Sequence, residues 1–424
     1  MIDHTYKDLY NQDSVKKQIS ILHDNGTITN TELYSESLSL KERLCTESNL
    51  KFGCCEASEL SFKMANVGNT LKGKWIVFSE KLNGLNTDFW FGRYKVYSDT
   101  PSAERNYRTI TAYDAMYDII NANVAEWYNS LEFPMTQKVF RNLFFNYLRV
   151  GQEKVTLIHD DMSIEKTIES TNISGKDIIT CLCELNGVFG HINRDNNFEY
   201  ISLDGNKEVI NVDRSLVKSG EYEDFVTSTI SKVQIRKEEN DIGASYGDGD
   251  NCYVIENNFL VYGKSSEELE SICSRIYSKI KGITYRPYKA SIKGNPCYMV
   301  GDRISINTRN ITIESYILER TLTGIQSLTD SVEANGEIKY KEDVNSLSKD
   351  IVQLKGKTNT LERTIDRTRS ELKDVETGLR TEIEQTADKV KIEVEAGLQI
   401  GSVNLLRNSQ TLNFEDYYFV NEDS

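Results

Sequence analysis

The chain has 424 residues, with 50 basic and 65 acidic side chains and a formal net charge of −15. That length exceeds one compact core and predicts roughly two to four domains, while 38% hydrophobic and 10% aromatic residues exclude wholesale disorder. No run approaches the ~18 apolar residues of a membrane span, the polar opening MIDHTYKDLYNQDS lacks the apolar core of an export signal, and the acidic balance argues against a broad nucleic-acid-binding face, which needs clustered Lys and Arg, while leaving room for a local basic groove.

Residues 1–105 read mostly as strands. Asn25-Gly26 lies between the runs ISILHD and TITNTEL, and an Asn-Gly pair accommodates the positive φ angles of a tight hairpin turn. Trp75–Lys81 and Asp88–Tyr97 form a second predicted hairpin around Asn83-Gly84, its second arm DFWFGRYKVY rich in aromatic and β-branched residues. Residues 106–150 change period. Tyr113, Met116, Tyr117, Ile120, Val124 and Trp127 recur at helical spacing, Pro134 interrupts, and Thr136 can cap a second helix with Val139, Phe140, Leu143, Phe144, Tyr147 and Leu148 on its apolar side.

Residues 151–210 read as α/β: Ser174 caps a helix through Leu185, Asn186-Gly187 stops it, and a hairpin follows from VFGHIN through RDNN to FEYISL. Residues 211–330 return to strands with one inserted helix. Ser265 and Glu268 form its capping box; Leu269, Ile272, Ile276, Ile280 and Ile283 trace its apolar face, and Gly282 stands where a C-cap would be. Residues 331–343 are polar and acidic, as in a linker.

From Val344 the pattern is heptad. Val344, Ile351, Thr358, Ile365, Leu372 and Leu379 fall at a, and Leu347, Leu354, Leu361, Thr368 and Val375 at d; nine of these eleven are apolar, which points to a coiled coil. The apolar positions then shift to Ile383, Ala387, Val390, Val394 and Leu398, a stutter that relaxes supercoiling. Residues 344–398 would make a rod of about 80 Å. Such a seam cannot be buried by one helix, so the chain is expected to be a parallel homo-oligomer, with the seam formed by Val344, Leu347, Ile351, Leu354, Leu361, Ile365, Leu372, Val375, Leu379, Ile383, Val390 and Val394. Early heptads (Val or Ile at a, Leu at d) lean to two chains and later ones (Leu at a, Val at d) to three or four, so the heptads leave the number of chains open. Residues 399–424 leave the heptad and read as the opening of a further β-rich module or a tip.

Chemistry-bearing patterns are sparse. The eight cysteines give CC and CxC spacings but no CxxC pairs, and free buried thiols are expected. Four histidines, none at i, i+4, make a poor zinc inventory. Cys181 and Cys183 would point to different faces of one helix. Ser245-Tyr246-Gly247-Asp248-Gly249-Asp250-Asn251 alternates carboxylates as a calcium loop would, but lacks the twelve-residue frame with its closing Glu, so a polar turn is expected. His159-Asp160-Asp161 could serve acid–base chemistry and is expected to be a surface turn; His191 is expected on a strand. No P-loop, GxSxG or GxGxxG after a strand occurs. No catalytic residue, metal or cofactor is assigned.

Four segments, in order, resemble the baseplate hub proteins of phages infecting Gram-positive bacteria, the N-terminal part of tail-associated lysins and prophage tail endopeptidase-like proteins. They are ESLSLKERLCTESNLKFGCCEASELSFKM (Glu36 to Met64), FGRYKVYSDTPSAERNYRTITAYDAMYDI (Phe91 to Ile119), DIITCLCELNGVFGHINRDNNFEYISL (Asp177 to Leu203), and GNPCYMVGDRISI with YILERTLTGIQSLTDSVEANG (Gly294 to Gly336). A coiled coil and NLLRNSQ (Asn404 to Gln410) follow, as is also common in such tail proteins. The resemblance implies a homotrimer that closes a tail tube at the tip of the virion, with a lumen through which phage DNA passes without specific binding. It also implies a distal tail protein ring, a tape measure protein and a distal fibre or spike as partners, with transient contact to the host cell wall. The expected architecture is an α+β multidomain chain: two β-barrel-like tube domains at 1–105 and 211–330 around an α/β middle region at 106–210, a linker at 331–343, a parallel coiled-coil stalk at 344–398 and a tip at 399–424. Many members of this family carry a hydrolase after the hub. No hydrolase motif is present here, so a structural role is expected, with a peptidoglycan hydrolase or a host-receptor-binding stalk as the alternatives.

Overall fold

A computed structural model describes residues 4–340 except 13–14, 67, 84, 86, 169–170 and 237–242. Helix α1 (His4–Tyr10) precedes seven strands: β1 (Lys17–His23), β2 (Gly26–Thr29), β3 (Ser39–Arg43), β4 (Glu59–Ala65), β5 (Trp75–Leu82), β6 (Asp88–Pro101) and β7 (Tyr107–Tyr113). Both expected hairpins form. His23 stands opposite Gly26 at the Asn25-Gly26 turn, and β5 pairs with β6 from Trp75↔Lys95 to Lys81↔Asp88. Alternation decides which face is buried: Leu60, Phe62 and Met64 of β4 and Ile110 and Ala112 of β7 point inward, as a period of two requires.

The two strand-rich regions share one large sheet, although two small three-stranded sheets stand apart from it, one of Val209–Val212, Arg303–Asn307 and Thr312–Tyr316 and one of Ala244–Tyr246, Lys232–Ile235 and Cys252–Ile255. The strands Val217–Tyr222, Tyr288–Lys293, Thr329–Ala334 and Glu319–Thr323 lie in that order and continue through β3, β4, β7, β6, β5, β1 and β2 into one eleven-stranded sheet. Every neighbouring pair is antiparallel. Among the described residues the end strands, Val217–Tyr222 and β2, do not pair with each other, so this sheet is open and neither region closes into a barrel of its own. The resemblance implied two barrel-like tube domains at 1–105 and 211–330; the pairing of their strands departs from that, and alternation along the sequence identifies a strand but not its partner. The polar stretch from residue 331, expected as linker, contributes the last residues of the strand Thr329–Ala334.

The join between the two halves is the pairing of β3 with Glu319–Thr323, from Ser39↔Thr323 to Arg43↔Glu319. Arg320, 2% exposed, is buried there opposite Glu42. Its Nε donates to Asp330 Oδ1 at 2.8 Å, Nη2 to Asp330 Oδ2 at 3.1 Å and Nη1 to Glu42 Oε2 at 3.2 Å. Further bonds run to the carbonyls of Asn295, at 2.9 Å, and Tyr298. Asn295 extends the network: its N–H donates to Asp330 and its Nδ2 to the Lys7 carbonyl at the end of α1. Two carboxylates and two carbonyls therefore satisfy one guanidinium away from water, the condition under which a buried charge is tolerated.

The chain leaves the sheet after Tyr113 and returns to it at Val217. The single helix expected across 113–127 is two: α2 (Ala115–Asn121), capped by Asp114 on Met116 N–H, and α3 (Ala125–Asn129). Tyr113 ends β7, and Ala122 is extended (ψ 128°), which breaks the helix between them. Helix α4 (Gln137–Leu148) starts at the expected Thr136 cap, but its buried face is Gln137, Phe140, Arg141, Phe144 and Phe145. Val139, Leu143 and Tyr147, expected in the core, are 46%, 37% and 50% exposed. The face turns because Arg141 is drawn inward by an ion pair with Asp160. Helix α5 (Gly175–Leu185) has a capping box between Ser174 and Asp177, and the hairpin Phe189–Ile192 with Asn197–Ile201 follows as expected. Helix α6 (Ser266–Ile280) has the Ser265–Glu268 capping box and buries Leu269, Ile272, Cys273, Ile276 and Ile280. Its C-cap is Lys281 in right-handed conformation, so Gly282 does not cap it through a left-handed turn. One core fills the space among these helices, the small sheets and the strands of residues 217–334; a second lies under β1–β7 and takes in Cys297, Leu322, Ile325 and Leu328.

Arg320→Met should cost about 3–5 kcal/mol in urea denaturation, because it leaves Asp330 and Glu42 buried without a counter-charge. Leu143→Ser should cost less than about 1 kcal/mol, whereas Phe144→Ala, one residue on, should cost about 3–5 kcal/mol; equal costs would contradict the assigned helix face.

Candidate functional site

The seam positions from Val344 to Val394 lie outside the described residues, as does NLLRNSQ. What is described is how the chain reaches them. Ile338 C=O accepts from Ser228 N–H at 2.8 Å, Tyr340 N–H donates to Asn251 Oδ1 at 2.8 Å, and Tyr340 O–H donates to the Leu50 carbonyl at 2.7 Å. The Tyr340 ring meets Tyr253 edge-on at 5.4 Å. Buried Asn251 is itself held by the Ser228 and Thr229 carbonyls. The last described residues are thus anchored to the body of the protein.

The Gly/Asp loop that ends at Asn251 has a packing explanation. Gly247 has φ +103°, and a Cβ there would stand 2.3 Å from Ser231 O; a Cβ on Gly249 would stand 2.3 Å from Ser231 Oγ. The glycines let this loop close on residue 231. Among the described residues no three His, Cys, Asp or Glu side chains converge on a metal position, here or around Cys181 and Cys183.

Only the Asp161 end of the His159-Asp160-Asp161 turn lies at the surface. His159 and Asp160 are buried. Arg141 grips Asp160 with Nε on Oδ1 at 2.8 Å and Nη2 on Oδ2 at 2.9 Å, a bidentate pair. Asp161, exposed, pairs with Arg275 at 2.8 Å. The His159 ring has no hydrogen-bond partner at Nε2, and burial, helped by Arg275, pushes its pKa down to about 4 against the pull of Asp161. The group is a lock between α4 and α6 rather than an acid–base pair.

The arrangement that most resembles a catalytic site was not visible as a motif. His191 Nδ1 lies 2.9 Å from Glu199 Oε1, and its Nε2 lies 3.5 Å from Ser58 Oγ. Asp114 Oδ2 accepts from Ser58 N–H at 3.0 Å while its Oδ1 caps α2. Hydroxyl, imidazole and carboxylate stand in the order of a nucleophilic triad. Yet Ser58 is 3% exposed and His191 1%, so no substrate reaches the hydroxyl, and 3.5 Å is the outer limit of a hydrogen bond. Burial lowers the affinity of His191 for a proton, but Glu199 outweighs it and the pKa rises; burial raises Asp114 to about 6. These residues tie the start of β4, the cap of α2 and the hairpin Phe189–Ile192 with Asn197–Ile201 together.

No family model and no curated relative matches the chain. Among solved structures, the 43 kDa tail protein of prophage MuSo2 from Shewanella oneidensis is similar, with a TM-score of 0.50 at 11% identity over 76% of this chain and 97% of that one. This chain therefore has the fold of a prophage tail protein. A tail protein from Neisseria meningitidis MC58 (TM-score 0.49, 9% identity, 76% of this chain and 97% of that one) and a prophage tail protein from Listeria monocytogenes EGD-e (TM-score 0.48, 11% identity, 81% and 99%) were also found.

The buried His159 gives a pH prediction. In the unfolded chain it takes up a proton near pH 6.5, in the folded protein only near 4, so stability falls as pH drops through that window, by about 3 kcal/mol at most. Urea midpoints at pH 7 and pH 4.5 should fall further in the wild type than in His159→Gln; parallel losses would contradict the assignment.

Proposed function

We propose that the chain is a structural part of a phage tail tip: a baseplate hub that assembles as a homotrimer, closes the tail tube and connects it to a distal fibre or spike. The observation that carries this is the fold shared with a prophage tail protein over 97% of that protein's length. The proposed neighbours are a distal tail protein ring and a tape measure protein, with DNA passing through the lumen and transient contact with the host cell wall. The strand-rich ends, 1–105 and 211–330, would form the tube wall around the middle region 106–210, and 344–398 the stalk.

The open sheet supports assembly. Its end strands, Val217–Tyr222 and β2, leave backbone donors and acceptors that neighbouring copies can cover, and unprotected edges otherwise invite aggregation. A net charge of −15 suits a lumen that must pass DNA without gripping it. A structural rather than catalytic role agrees with the burial of both histidine groupings.

Absolute mass by light scattering should give three times 48.5 kDa for residues 1–424. Residues 1–340 then show whether the stalk or the body drives assembly. A stable dimer would contradict tube closure, and a monomer at micromolar concentration would contradict both the seam and the hub.

A further inference from the structure

Cys45 follows β3, and Cys54 lies nine residues on. The intervening loop folds back so that the two sulfurs stand 3.9 Å apart. The frame holds them there: Leu44 N–H donates to the Leu318 carbonyl at 2.8 Å, Gly53 N–H to the Val188 carbonyl at 2.9 Å, and Gly190 N–H to the Cys54 carbonyl at 3.2 Å. Cys54 is half-buried, whereas Cys45 and the other six thiols are buried. The pair therefore joins one solvent-reachable thiol to a sheltered one in sulfur–sulfur contact. The Cys54 thiol, aided by backbone amides, draws the Cys45 thiol down to about 7 against the effect of burial, so a thiolate is at hand near neutral pH.

We propose that Cys45 and Cys54 form a modification site, a dithiol that a low-molecular-weight disulfide such as oxidised glutathione converts into an intramolecular disulfide. The hydrogen bond to Cys45, together with burial, keeps Cys54 a thiol, so Cys54 passes its proton to the Cys45 thiolate as Cys54 Sγ attacks one sulfur of the oxidant, forming a mixed disulfide and releasing one glutathione thiolate. Cys45 loses that proton to the released glutathione thiolate or to solvent and, again a thiolate, attacks Cys54 Sγ; the Cys45–Cys54 bond forms, and the second glutathione leaves as a thiolate. One proton leaves the pair, and two electrons pass to the oxidant. Side-chain rotation closes the sulfurs to the roughly 2.05 Å of the bond. The new strut ties the end of β3, the strand that carries Glu42, to the loop whose Phe52 packs against Phe189 and Tyr253. The chemistry stands without the tail reading; only its timing rests on that reading, since a particle built in a reducing cytosol meets such oxidants after leaving the cell.

The test uses the full chain, reduced, then incubated with oxidised glutathione at mildly alkaline pH, alkylated and digested with trypsin. Cleavage at Arg43, Lys51 and Lys63 separates Leu44–Lys51 from Phe52–Lys63, so the bond appears as these two peptides joined, two hydrogens lighter than their sum. Joined peptides are expected in the wild type and in Cys55→Ala, should revert with dithiothreitol, and should be absent from Cys54→Ser, a substitution at a half-buried position that the fold tolerates. A glutathione adduct that persists on Cys54, joined peptides in Cys54→Ser, or full alkylation of both cysteines after oxidation would each overturn the proposal.

Discussion

The fold depends on one buried guanidinium. Arg320 sits where a strand from the C-terminal half meets β3, and it is matched by Glu42 on one side and Asp330 on the other. A slip of one residue in this pairing would turn Arg320 to the opposite face of the sheet and leave both acids unpaired. The register that joins residues 39–43 to residues 319–323 is therefore fixed by charge as well as by backbone pairing. Through Asn295 the same network also holds α1, so the first and last described elements share one anchor.

Much local structure was legible where the signal was itself local, although Gly282 does not cap α6 and the helix read across 113–127 is two. Thr136, Ser174, and Ser265 with Glu268 cap their helices as read, because a cap involves residues three apart. The hairpins at Asn25-Gly26 and between Ile192 and Asn197 were legible for the same reason. Long-range choices were not. Nothing in the alternation of residues 39–43 names residues 319–323 as partner. In α4 the apolar residues nearly encircle the helix, and the partner of Arg141, nineteen residues on, decided which of them were buried.

The same limit hid the Ser58, His191 and Glu199 alignment, whose first two members are separated by 133 residues. It also explains why the His159 turn looked like a surface feature. Two adjacent acids signal solvent in a sequence, yet one of them meets a buried arginine and the other an exposed one. In both groups buried ionisable side chains hold elements together, and in the His159 group the exposed Asp161–Arg275 pair joins them at the surface. That is the use expected of buried polar networks that fix one arrangement.

The central claim, a structural part at the tip of a tail, is tested most directly by locating the chain in the particle. Antibody raised against residues 1–340 and viewed by electron microscopy on purified virions should label the end of the tail distal to the head. Label along the tube, label at the head, or intact virions that lack the chain would contradict it.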